Sequence, residues 1–260
     1  MVKKDKYKKA SQKFWSGFGD DWEKAKYLII GKYVDDKYWY DVTPKLHWDE
    51  FLNGINLEKD WTVLDYGCGV GRTIRLIAPY VKLAIGVDVS TDMIKMSKKY
   101  LQDLPNVQTY ETNGVDLSIF PDCKFDFVFE KSVFQHIPDT ETIIGILRET
   151  SRVLKPAGIA RMNFAKPTGS FKLSDILTNI LRKPTLPSLL YLKKYLFNRK
   201  KDDWHRTWHG KKLSFAGNSF SEDSVKRLLN VSGLCLSTLE SFSQSPSWWW
   251  VTCSPNKQSL

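Results

Sequence analysis

Between residues 61 and about 165, short apolar runs alternate with stretches whose apolar residues recur every three to four positions. Trp61-Thr-Val-Leu-Asp65 is an apolar run stopped by glycines, which predicts a buried strand. Leu83–Asp88, Val107–Glu111 and Phe125–Glu130 predict three more, and residues 159–164 a fifth after a break at Ala157-Gly158. The intervening segments read as helices: residues 72–78, a helix opening after Ser90 as its N-cap, and residues 140–154 with Ile143, Ile144, Leu147 and Val153 on one side. Downstream, residues 220–233 predict a helix closed by Gly233, 234–239 a sixth strand, and 248–252 a seventh after a turn at Pro246. Strand–helix alternation of this kind implies a mostly parallel sheet covered on both faces. The triple tryptophan Trp248-Trp249-Trp250 falls on the last strand and is expected to serve mainly as sheet core and edge.

Flanking this alternating core are two segments of different character. Residues 1–60 are polar, charged and aromatic, with Trp15, Trp22, Tyr38, Trp39, Tyr40 and Trp48, and are expected to form an N-terminal helical cap. The core is assigned to 61–165, and 216–260 completes it with the last helix and two strands. Residues 166–215 form a basic insertion, a lid shaping the site: from Lys166 to Lys212 there are twelve Lys or Arg against three Asp. That segment holds nearly all of the net charge of +10, and a concentrated basic field attracts anions. Within it, residues 186–201 mix apolar and cationic side chains at helical spacing, a pattern suited to a lid over a phosphorylated ligand or to contact with a membrane surface.

Composition narrows the classes. A chain of 260 residues with 42% hydrophobic and 26% charged residues can bury a substantial core and is not a disordered polymer. No run approaches the roughly 20 apolar residues of a membrane span. The basic start is not followed by an apolar segment, so no secretory signal is read. Cys68, Cys123, Cys235 and Cys253 are widely spaced and form no metal or disulfide pattern. A reduced, cytoplasmic protein, peripheral to the membrane surface if 186–201 engages it, is the expectation. No metal site is expected.

The chemistry-bearing residues sit where the predicted strands end. Val63-Leu-Asp65-Tyr-Gly67-Cys68-Gly69-Val-Gly71-Arg72 follows a strand and opens a helix, where glycines let the backbone approach a ligand. The spacing is GxGxG rather than GxGxxG and Asp65 precedes it, which counts against a nicotinamide dehydrogenase. Asp88 ends the second strand, the position from which an acid meets a ligand beyond the sheet's carboxyl edge and accepts bonds from two ribose hydroxyls. Asp116, just beyond the third strand and followed by Leu117, has the chemistry to receive an exocyclic amine while Leu117 packs on the ring.

Taken together these segments resemble the class I S-adenosylmethionine-dependent methyltransferases. The resemblance rests on residues 63–72, Gly86-Val-Asp88-Val-Ser90, Asp116-Leu117, 125–137 and 147–158 in order and spacing, and covers roughly residues 60–165. It implies an α/β fold: a Rossmann-like, doubly wound sheet of seven strands, mostly parallel with an antiparallel last strand, and helices on both faces. It implies S-adenosyl-L-methionine as cofactor. Asp65, Gly67, Cys68, Gly69 and Gly71 would contact the methionine part, Asp88 with Val89 and Met93 the ribose side, and Asp116 with Leu117 the adenine. Glu130 would lie near the methionine amino group and the mouth of the acceptor pocket.

Methyl transfer needs positioning and exclusion of water more than acid–base power, because the cofactor carries the reactivity. Should a base be used, His136 beyond strand four is the candidate, with His205 and His209 in the basic insertion as others. Strand four ends in Phe-Glu-Lys-Ser, neither an Asn/Asp-Pro-Pro-aromatic motif nor a Pro-Cys nucleophile, which disfavours methylation of adenine or glutamine amides and of cytosine carbon. The reading that remains is methylation of an oxygen or nitrogen of a small molecule, anionic or phosphorylated, such as a sugar, nucleotide-sugar or lipid-linked glycan precursor. An RNA methyltransferase using the basic insertion, with nucleic acid as partner, and a non-catalytic cofactor-binding interaction protein are the alternatives.

Overall fold

A computed structural model describes residues 12–30, 34–42, 45, 47–137, 139–167, 207–208, 211–212 and 218–256. Seven strands form one sheet: β1 (Thr62–Tyr66), β2 (Leu83–Asp88), β3 (Val107–Glu111), β4 (Phe125–Glu130), β5 (Leu154–Ala165), β6 (Leu234–Glu240) and β7 (Trp248–Pro255). Their spatial order is β3-β2-β1-β4-β5-β7-β6. The first five are parallel to one another, and β7 runs antiparallel to both β5 and β6. The helices are α1 (Trp22–Ile30), the single turn α2 (Trp48–Phe51), α3 (Arg72–Ile77), α4 (Thr91–Tyr100), α5 (Thr140–Val153) and α6 (Glu222–Val231). This is the doubly wound α/β architecture that the sequence implies.

Alternation along each strand divides the core. Leu64, Tyr66, Ile85, Val87, Val128, Met162 and Val251 point to the face covered by Ile143, Ile146 and Leu147 of α5 and Val225, Leu228 and Leu229 of α6. Val63, Ala84, Phe127, Phe129 and Trp250 point to the other, against Phe51 of α2, Ile74 and Ile77 of α3, and Ile94 and Leu101 around α4. Trp250 is fully buried and its indole N–H donates to Ser245 Oγ, while the Trp249 N–H donates to the Phe220 carbonyl. Neither lines the cavity described below.

Helix starts follow local chemistry. Ser90, Asp139 and Ser221 each accept a backbone N–H from the first turn of α4, α5 and α6. One boundary departs from the sequence reading. The expected helix to residue 154 and break at 157–158 give way to a helix ending at Val153 and a strand starting at Leu154. The register between β4 and β5 shifts between Phe125 and Phe127. Gly158 makes this possible: a β-carbon there would lie 2.9 Å from the Phe125 carbonyl, so the chain passes closer than any side chain allows.

The N-terminal segment is fastened to the carboxyl edge of the sheet. Phe18, Ala25 and Trp39 pack with Val70, Met93 and Met96. Asp92 Oδ2 accepts the backbone N–H groups of Gly17, Phe18 and Gly19 at 2.6–3.0 Å, and Ser90 Oγ donates to the Trp15 carbonyl. Farther along, buried Arg161 of β5 donates to the carbonyls of Glu50 and Phe51 and pairs with Glu240 at 3.0 Å. No helix among the described residues is long and apolar enough to cross a membrane. Residues 168–206, which hold most of the basic insertion and all of 186–201, lie outside the described residues, as do His205 and His209.

Candidate active site

The loop after β1 is built from residues that only glycine serves well. Gly67, Gly69 and Gly71 have φ of 76°, 54° and 86°, in the left-handed region. The N–H groups of Gly67 and Cys68 donate to the Val87 carbonyl, tying the loop to β2. A β-carbon at Gly67 would collide with Val133, and one at Gly71 with Leu101, whereas one at Gly69 would meet only Ile29 at 3.9 Å. Space therefore opens above Gly69. Asp88 shapes the same loop from the end of β2, accepting the N–H of Gly69 on one carboxylate oxygen and that of Ser90 on the other, both at 2.9 Å.

A cavity of about 370 Å³ lies along the carboxyl ends of β2, β1 and β4. Asp65, Gly67, Cys68, Gly69, Asp88, Val89 and Met93 all line it, and so does His136. Gly71 is just behind the wall as the left-handed residue that opens α3. Three expected residues do not reach the wall. Leu117 is fully buried in the core, and its backbone N–H donates to Glu149. Asp116 is bonded by Asn113 and Ser118 within its own turn. Glu130 is 1% exposed, with its carboxylate accepting the backbone N–H groups of Val133, Phe134 and Asn163. None of the three is among the lining residues.

The wall has further members. Trp15, Leu28 and Ile29 come from the N-terminal segment and Lys131 from the turn after β4, while Arg72, Ser132 and Gln135 belong to the matched segments without having been assigned a role. Trp15 meets the His136 ring edge-on, with centroids 5.1 Å apart. The Arg72 guanidinium lies 5.1 Å from the Trp39 ring centroid. Of the residues outside the matched segments, the sequence offered a trace of Trp15, which belongs to the aromatic-rich N-terminus.

Burial dominates the electrostatics. It pushes the Asp65 carboxyl well above the ordinary range, reinforced by the negative charges of Asp88 and Glu130 and opposed by Lys131 and Arg72. Asp88 is also raised by burial, against the pull of the N–H groups of Ser90, Gly69 and Val89. Glu130 is pushed up to about 8. Burial lowers His136 to about 4, so its imidazole is neutral at physiological pH, and the Gln135 amide donates to its Nε2 at 3.1 Å. Two lining carboxyls and a third just behind them thus carry a desolvation cost that a positively charged ligand offsets. A separate groove of about 550 Å³ on the outer side of α4 and β3 is lined by Lys95, Lys98, Tyr110 and Lys124. Glu111 at the end of β3 also lines it, but Asp65, Asp88 and the loop glycines do not. Among the described residues no group of three or more His, Cys, Asp or Glu converges as a metal site.

Part of the chain is similar to known proteins. Residues 64–162 match the family model described as "Methyltransferase domain". Among curated relatives, an uncharacterized methyltransferase of Bacillus subtilis is 34% identical over 98 residues, 37% of each chain. A demethylmenaquinone methyltransferase of Staphylococcus saprophyticus is 31% identical over 121 residues, 45% of this chain and 50% of the relative. Phosphoethanolamine N-methyltransferase 2 of Caenorhabditis elegans is 31% identical over 99 residues, 37% of this chain and 22% of the relative. The chain spans at most about half the length of these relatives. Among solved structures, the DhpI–SAH complex superposes with a TM-score of 0.62 at 15% identity, over 96% of this chain and 98% of that one. An S-adenosylmethionine-dependent methyltransferase from Aquifex aeolicus gives 0.55 at 18% identity, over 88% and 96%. At these identities the structural likeness speaks for the fold.

Proposed function

We propose that residues 64–162, which match a methyltransferase family model, form a class I methyltransferase core, and that this chain transfers a methyl group from S-adenosylmethionine to an oxygen or nitrogen of a small anionic molecule. The observation that carries the reading is the cavity floor. A glycine loop leaves room for a ligand, and buried carboxyls at Asp65 and Asp88, with Glu130 behind them, favour a cation. S-adenosylmethionine fits on both counts: its sulfonium and ammonium are positive, and its ribose presents hydroxyls to an acid at the end of β2. Asp88 is suited to those hydroxyls because its carboxylate is already oriented by two backbone donors and needs no reorganisation. Asp65 and the loop from Gly67 to Gly71 serve the methionine part, and Val89 and Met93 give an apolar wall beside the sugar.

When bound, the cofactor supplies an electrophilic methyl on sulfur. The chain's own share is to bind, orient and exclude water. Trp15, Leu28 and Ile29 give the cavity an apolar wall, and the Asp92 and Ser90 contacts hold residues 15–19 of that segment in place. His136 is a neutral hydrogen-bonding group that orients the acceptor; with its proton affinity so reduced by burial it holds a transferred proton poorly. The anionic character of the acceptor accords with the net charge of +10 and with the phosphate in the name of one relative.

The test is incubation of the purified chain with methyl-labelled S-adenosylmethionine and a panel of small amines, phenols and alcohols with and without a phosphate or carboxylate. Label should move to a small anionic acceptor. Transfer to RNA alone, or to nothing in the panel by a chain that binds the cofactor, would overturn the reading.

A further inference from the structure

The cavity follows strand order, with β2 at one end, β1 in the middle and β4 at the other. With the ribose assigned to Asp88 at the β2 end, the β4 end is left for the acceptor. That end is closed by residues 131–136, and their backbone is held in a costly shape. Ser132 has φ of 67°, a left-handed conformation that a residue with a side chain adopts only when its surroundings enforce it. The enforcement is visible: Asn163 Oδ1 accepts the Ser132 N–H at 2.7 Å, and the Glu130 carboxylate accepts the N–H groups of Val133 and Phe134. Two buried polar residues are thus spent on fixing a turn whose first member, Lys131, lines the cavity.

We infer that Lys131 is an acceptor-recognition residue whose ammonium receives a carboxylate or phosphate oxyanion of the methyl acceptor. Lys131 is separated from Asp88 by the width of the glycine loop, since β1 lies between β4 and β2. Both cations on the wall lie over aromatic rings, Arg72 over Trp39 at the start of α3 and Lys131 over Phe51 at the β4 end, with its ammonium 5.9 Å from the ring centroid. Burial and the Arg72 charge pull the lysine down to about 8, with Asp65 and Glu50 acting the other way. A cation held down by its surroundings is one that an incoming anion stabilises. Gln135 and His136, bonded to each other, line the same cavity.

The inference rests on the proposed methyltransferase reading, and the experiment separates the two. The full chain is titrated calorimetrically with S-adenosylhomocysteine, then, at saturation, with inorganic phosphate, in the wild type, Lys131→Met and Lys131→Arg. Thermal melting checks that each variant is folded. Phosphate should bind the wild type saturably, and Lys131→Met should weaken it by about tenfold or more, with Lys131→Arg retaining most of the affinity. Affinity for S-adenosylhomocysteine should change by less than about twofold in both. No saturable phosphate binding, or equal binding by wild type and Lys131→Met, would place the anion elsewhere, the basic insertion included, and overturn the inference. Loss of S-adenosylhomocysteine affinity in Lys131→Met would mean that the lysine holds the cofactor's own carboxylate, and would overturn it equally. Failure of the wild type to bind S-adenosylhomocysteine is the different outcome that defeats the methyltransferase reading itself.

Discussion

Asp88 and Gly69 are joined by a 2.9 Å hydrogen bond from the glycine's backbone N–H to the aspartate's Oδ2, so the acid at the end of β2 holds the loop at the end of β1. The other carboxylate oxygen takes the N–H of Ser90, whose hydroxyl in turn accepts the N–H of Met93 at the start of α4. One side chain thus sets the glycine loop, starts a helix and faces the cavity. Asp88→Asn, which keeps one acceptor oxygen, is expected to lose less cofactor affinity than Asp88→Ala. Equal losses in titrations of the two would show that the backbone bonds are not what orients the site.

The three loop glycines are not equivalent, and alanine substitution should tell them apart. At Gly71 the left-handed backbone costs roughly 1–2 kcal/mol for a residue with a β-carbon, and the methyl would also run into Leu101. Gly71→Ala is therefore expected to lose at least about 2 kcal/mol of stability in urea unfolding. Gly69→Ala meets nothing nearer than Ile29, so it should lose only about 1 kcal/mol while placing a methyl in the ligand's space. Its signature is a folded protein with S-adenosylhomocysteine affinity reduced by about tenfold. The reverse ranking of stabilities would contradict the geometry.

Asp92 clasps the N-terminal segment with three backbone N–H bonds. Burial pushes its carboxyl up, and those three donors outweigh burial and hold it below the ordinary range. The contribution is accordingly present above the unfolded carboxyl value near 3.9 and lost as pH falls through the lower folded value. Asp92→Ala should raise hydrogen exchange at residues 17–19 and weaken cofactor binding about three- to tenfold by loosening the Trp15 and Ile29 wall. Unchanged exchange there would remove the clasp from the account.

His136 gives a pH signature. Its folded value of about 4 lies below the usual 6.5, so between those values the unfolded chain binds more protons than the folded one. Stability therefore falls as pH is lowered from about 6.5 to about 4. His136→Gln should flatten that part of the profile in urea unfolding, whatever it does to stability at pH 7. An identical slope in wild type and variant would mean that the imidazole is solvated.

The sheet was legible because its signals are local. Strands β2, β3 and β4 have the bounds that their apolar runs predict, and Ser90 caps α4 as its position implies. The β4–β5 register shift was not, because it depends on how closely Gly158 passes Phe125, a contact between distant positions. The site divides in the same way. Asp65, Gly67, Gly69 and Asp88 reach the cavity because strand ends and the turn after β1 place them there. Leu117 and Glu130 turn inward because tertiary partners claim them: the core for one, the N–H groups of Val133, Phe134 and Asn163 for the other. Lys131 is one residue from a motif position, yet what brings it to the wall is the left-handed Ser132, which no sequence period encodes.

Every role proposed for the site depends on S-adenosylmethionine binding over the glycine loop and against Asp88. The most direct measurement is calorimetric titration of the wild type and Asp88→Ala with S-adenosylmethionine and, separately, with NADH. Micromolar binding of S-adenosylmethionine is expected, with none of NADH and a loss of about tenfold or more in the variant, each tenfold being about 1.4 kcal/mol. A folded wild type that binds NADH instead, or that binds S-adenosylmethionine with an affinity indifferent to Asp88, would contradict the account.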